Sequence, residues 1–150
     1  MILKQQGSLQ WLEFEIFSDF PELVHGIFLR PGGVSQGPYA ALNVSFTLED
    51  PPEHVEENRR RICTALQVGP LVSAQQVHGT EFTTLTSAPK TPPVCDGLLT
   101  QTQSLPLMVM HADCQSAIFY DPVHQALAAS YKPSRRRVHL HLRIVLCLFS

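Results

Sequence analysis

Over residues 9–17, Leu12, Phe14 and Ile16 alternate with Glu13 and Glu15, the period of two that predicts a half-buried strand. A second apolar run, Leu23 to Leu29, leads into Arg30-Pro-Gly-Gly-Val-Ser35 and predicts a strand opening onto a glycine loop. The pattern then changes period. After Asp50-Pro51-Pro52-Glu53, Val55, Ile62 and Leu66 fall on one helical face, so a helix is expected over about 51–67, capped by Asp50 and stopped by Gly69-Pro70. Arg59, Arg60 and Arg61 read as its solvated face, with Arg60 and Arg61 within reach of Glu56 and Glu57.

Downstream, short apolar runs predict strands at Leu71 to Val77, Phe82 to Leu85, Leu98 to Thr100, Leu105 to Met110, Ala117 to Tyr120 and Ala126 to Tyr131. The proline-rich stretch from Ser87 to Val94 is a loop. With many short strands and one secure helix, the fold class is α+β with mixed or antiparallel sheets. From Val138 to Phe149 the alternation is unusually regular. That tail predicts either one long strand or an exposed apolar edge prone to self-association.

Composition adds two constraints. A hydrophobic fraction of 44% with 16% charged residues is that of a globular chain of one domain. The charge is uneven: residues 130–150 carry five basic and no acidic residues, so a net −2 leaves −7 for the preceding 129. The tail has neither aromatic interleaving nor a recognisable module, which argues against a nucleic-acid or membrane-surface partner. Four cysteines without a Cys-x-x-Cys pair, no apolar leader and no run of about 18 apolar residues lead us to expect a cytoplasmic protein with reduced thiols.

The chemistry-bearing stretch is His111-Ala-Asp-Cys114, a polar turn between two apolar runs. A thiol and a carboxylate at a strand end, Cys114 and Asp113, suit metal binding or nucleophilic chemistry. Packing plus a turn carboxylate is the plainer alternative for that pair. Arg30 beside the Pro-Gly-Gly loop is a candidate anion contact, with a solvated surface arginine as its alternative.

Five motif groups stand in this order: Arg30-Pro-Gly-Gly-Val-Ser35 with Pro38-Tyr39 and Leu42-Asn43, Glu57-Asn58-Arg59, Gln76-Val77-His78-Gly79, Asp96-Gly97-Leu98-Leu99-Thr100, and Ala112-Asp113-Cys114. Together they resemble the YfiH-like laccase-domain family, known both as multicopper polyphenol oxidases and as purine nucleoside phosphorylases. The resemblance implies a layered α/β fold with mixed sheets. It implies a zinc site, with His78 and Cys114 as metal ligands and catalytic residues and Asp113 orienting them; copper is the alternative metal. It implies purine nucleosides and phosphate as substrates, with phosphorolysis and adenosine deamination as the reactions and polyphenol oxidation as the older alternative. Arg30 is then the phosphate partner, with Ser35 and Asn43 lining the pocket.

The resemblance covers residues 1–130. The family's third ligand is the first histidine of a His-Ala-Gly-Trp-Arg-Gly motif, and Tyr131 stands about where it should be. Residues 131–150 form a basic, Leu-rich tail unrelated to the family pattern. The expectation is a domain incomplete at its C-terminus, as a shift of reading frame near residue 130 would produce, with activity impaired or lost.

Overall fold

The computed structural model describes residues 1–111, 115–132 and 143–149. In chain order the strands are β1 (Ile2–Gln6), β2 (Leu9–Glu13), β3 (Leu23–Phe28), β4 (Val72–Ser73), β5 (Phe82–Leu85), β6 (Gly97–Thr100), β7 (Leu107–His111), β8 (Gln115–Asp121), β9 (Ala126–Lys132) and β10 (Arg143–Phe149). The helix α1 (Pro52–Leu66) lies between β3 and β4 in sequence. Among the described residues, ten strands and one long helix make the fold α+β, as the short apolar runs predict.

The strands form two sheets. One has six strands in the order β1-β2-β3-β10-β7-β4, the other four in the order β5-β6-β9-β8. Both are mixed: β4 runs parallel to β7 and β5 parallel to β6, while the other pairings are antiparallel. Alternation along β7 explains the layering. Leu107 and Val109 join a core with Leu23 and Ile27 of the large sheet and Leu98, Leu127 and Ala129 of the small one. Met108 points the other way, into a second core with Trp11, Phe28, Leu42, Val44 and Ile62 of α1. The large sheet is thus the middle layer, covered on both faces at β3 and β7.

Several elements depart from the hydrophobic pattern. The strand expected over 9–17 ends at Glu13, and Glu15–Phe17 is a 3-10 turn. β1 carries no alternation and all five of its residues are exposed, so only its pairing with β2 makes it a strand. The run from Leu71 is a strand only at Val72–Ser73, because Gln75 pairs instead with Val94 of the proline loop. Asp50 does not cap α1: the cap position is Pro51, and the Asp50 carboxylate is taken by Ser35 and Asn43. The helix stops at Gln67, which takes a left-handed conformation (φ 56°), two residues before Gly69.

For the tail, the strand is the expectation that holds, over Arg143–Phe149. β10 is not an edge: it pairs with β3 on one side and β7 on the other, with Val145 opposite both Ile27 and Val109.

Candidate functional site

The loop after β3 is shaped by its glycines. Gly32 has φ +96°, and a Cβ there would meet the Leu9 backbone at 2.5 Å; at Gly33 it would meet the Ala41 carbonyl oxygen at 1.9 Å. The two glycines let the chain pass against β2 and against its own return at residue 41. The amides that follow are spent within the protein: Val34 donates to the side chain of Asn58 (2.8 Å) and Ser35 to the Ala41 carbonyl (3.0 Å). What the loop offers to solvent is therefore the Arg30 side chain rather than a cradle of those amides. Its Nε donates to the Ala40 carbonyl. The guanidinium lines a pocket of about 150 Å³ with Tyr39, Asn43 and Leu48.

Behind this pocket lies a closed polar network. Ser35 Oγ donates to Asp50 (2.6 Å), and Asn43 Nδ2 donates to the same carboxylate oxygen (2.8 Å). Asn58, fully buried in α1, donates to Ser35 Oγ (2.9 Å), to the Ala41 carbonyl (3.2 Å) and to the Asn43 carbonyl (2.7 Å). Burial pushes the Asp50 carboxyl up, but the bonds from Ser35 and Asn43 and the neighbouring His54 outweigh it, so Asp50 lies below the usual carboxylate range. Of the two residues expected to line the pocket, Asn43 does so; Ser35 sits behind it, holding the loop to the helix.

A second groove, about 220 Å³, opens at the end of β7 and is lined by Gln76, His78, Met110, His111, Tyr131 and Leu48. The Gln76 amide completes this sheet edge as a strand would: it donates to the Met110 carbonyl and accepts from the Met110 amide, both at 2.9 Å. That bond sets the Gln-x-His-Gly turn beside the end of β7. Three successive amides of the turn then converge on one carboxylate. Val77 and His78 donate to Asp96 Oδ1 (3.1 and 2.9 Å), and Gly79 donates to Oδ2 (2.6 Å). His78 is held with φ 62°, the left-handed region that non-glycine residues seldom adopt. Its Nδ1 lies 2.7 Å from the Tyr131 hydroxyl.

Leu48 lines both the Arg30 pocket and the His78 groove, so the two open side by side. The fold thus brings Arg30 and Asn43 onto the same surface as His78, although 48 residues separate Arg30 from His78. Asp113 and Cys114 lie outside the described residues, which resume at β8 directly beyond them. Among the described residues no group of three His, Cys, Asp or Glu side chains could hold a metal ion. His78 and His111 line the groove, and in the tautomer whose Nδ1–H donates to the Tyr131 oxygen the other ring nitrogen of His78 keeps its lone pair. An imidazole fixed in this way suits a metal ligand. The motifs leave the role of Asp96 unassigned; its only sequence signal is a carboxylate inside the Asp-Gly-Leu-Leu-Thr motif.

The comparisons with known proteins fall on this architecture. The model of the family described as multi-copper polyphenol oxidoreductase laccase matches residues 24–132. The chain belongs to that family. It is 38% identical over 104 residues to the purine nucleoside phosphorylase YfiH of Escherichia coli, over 68% of this chain and 42% of the relative. A purine nucleoside phosphorylase of Corynebacterium glutamicum is 33% identical over 67% of this chain and 43% of its own length. The crystal structure of the Bacillus licheniformis hypothetical protein YfiH superposes with a TM-score of 0.75 at 25% identity, over 87% of this chain and 51% of that one. The chain spans about half the length, or less, of these relatives. No helix among the described residues is long and apolar enough to cross a membrane.

Proposed function

We propose that the paired pockets at Arg30 and His78 are a zinc-dependent site for phosphorolysis of a purine nucleoside, with adenosine deamination as a second activity. The observation that carries this reading is the side-by-side opening of a guanidinium pocket and an imidazole groove that share Leu48. The names of the relatives supply the substrate class. In this reading His78 and Cys114 hold the zinc, and Asp113 orients the Cys114 turn. Bound zinc supplies a Lewis acid. Arg30 binds the phosphate through charge-assisted hydrogen bonds, and Asn43 and Ser35 hold the wall of that pocket in place. In the reaction the bond from C1′ to the base nitrogen breaks, a phosphate oxygen bonds C1′, and the base nitrogen takes up a proton. Arg30 contributes by placing the phosphate and holding its charge beside C1′. Residues 1–130 are the family scaffold in this reading, and the basic tail from 131 is specific to this chain.

Tyr131 favours a second reading, a family scaffold whose site has lapsed, because it stands where the resemblance places the third ligand. Metal content and turnover separate the two. The first predicts zinc near one per chain and release of hypoxanthine from inosine that depends on phosphate. It also predicts that Arg30→Ala raises the KM for phosphate by about tenfold or more while leaving zinc content unchanged. Stoichiometric zinc without base release would leave the lapsed site standing. Copper at that stoichiometry, with oxidation of a phenol, would move the assignment to a polyphenol oxidase.

A further inference from the structure

Asp96 is 2% exposed and makes contacts in two directions. Its carboxylate takes the amides of Val77, His78 and Gly79, while its own carbonyl accepts the Tyr131 amide at 2.8 Å. Tyr131, itself buried, returns to His78 through the bond between its hydroxyl and Nδ1. Asp96, the His78 turn and Tyr131 therefore close a ring of hydrogen bonds with His78 in it. The three amides that converge on the carboxylate belong to the turn that carries the one described side chain to which the proposed function gives a metal.

We propose that Asp96 is the positioning residue of His78: it fixes the backbone of the turn through its carboxylate and the imidazole through Tyr131. This rests on the reading of His78 as a zinc ligand. Fixing the backbone in the left-handed region aims the side chain. Engaging Nδ1 then limits rotation about the bond that joins the ring to Cβ. Asp96→Asn keeps the shape but turns one accepting oxygen into an amino group that faces N–H donors. Tyr131→Phe removes only the hydroxyl.

The test measures the zinc dissociation constant of the full chain by competition with a chromogenic chelator, together with the ring nitrogen chemical shifts of His78. His78→Ala is the reference variant, and zinc binding that survives it overturns the ligand assignment itself. With that assignment standing, Asp96→Asn is expected to weaken zinc by about tenfold or more and to move the His78 ring signals. A loss below threefold with unmoved ring signals, even with a lowered melting temperature, makes Asp96 a structural residue only and overturns the inference. Should Asp96→Asn fail to fold, Asp96→Glu, which keeps the charge but displaces the accepting oxygens from the three amides, decides by the same thresholds.

Discussion

Asn58 shows how one polar side chain governs a whole loop. It lies on the buried face of α1 between Val55 and Ile62, yet spends its amide on the Val34 N–H, the Ser35 hydroxyl and two loop carbonyls. Truncating it strands several buried polar groups at once, and each stranded group costs about 1–3 kcal/mol. Asn58→Ala is therefore expected to destabilise the chain by about 3 kcal/mol or more, read as a lower urea midpoint at unchanged slope. A loss under about 1 kcal/mol would mean that water replaces the side chain in this network. Hydrophobic periodicity could not assign Asn58 to the buried face, since it scores only apolar positions. The Glu-Asn-Arg motif marked the residue without giving its role.

At the scale of the element, α1 is tied to its surroundings by its arginines. Arg59, expected on a solvated face, instead donates to the Val44 carbonyl (2.9 Å) and lies 4.6 Å over the Phe46 ring; burial lowers its pKa. Arg61 reaches the Gly32 carbonyl at 2.8 Å. Glu57 pairs with Arg60 and Arg61, as the i,i+3 and i,i+4 spacing predicts. The Arg60 bond first, then the Arg61 bond, holds its carboxyl at about 2 against an ordinary 4.5. Because the folded-state value is depressed, the stabilisation is full above pH 4.5 and fades as the pH falls toward 2. The group is solvent-facing, so the effect is small. Urea midpoints of the parent and Glu57→Gln should differ most near neutral pH and converge near pH 2; a gap independent of pH would show that the pairs contribute nothing.

For the whole molecule, β10 is decisive. It joins the meander β1-β2-β3 to β7 and β4, so without it the middle layer separates into two pieces. A proline at its centre removes a ladder hydrogen bond where no edge exists to absorb it. Val145→Pro should therefore cost about 3 kcal/mol or more and lower the cooperativity of thermal unfolding. The same substitution in the exposed edge strand, Leu3→Pro, should cost clearly less. Equal effects would mean that β10 does not sit between β3 and β7. The position also bears on the functional groove, since β10 pairs with His111 and Met110, the end of β7 against which Gln76 docks.

The residue order alone determined the α+β class, the extent of α1 to within a residue at each end, and most of the strands. Period and turn chemistry are local properties, and they suffice for elements that bury one face. The ordered motifs also carried the family, which the match over residues 24–132 shows. Tertiary structure decided what the motifs do for one another. Asp96 and His78 are 18 residues apart and Tyr131 lies 53 beyond His78, so no local pattern links the carboxylate to the turn or the phenol to the imidazole. It likewise decided that Asp50 serves Ser35 and Asn43 rather than its own helix. It also placed an alternating apolar tail inside a sheet instead of along its edge. A period of two specifies a strand; which neighbours satisfy its two rows of backbone donors and acceptors depends on contacts distant in sequence.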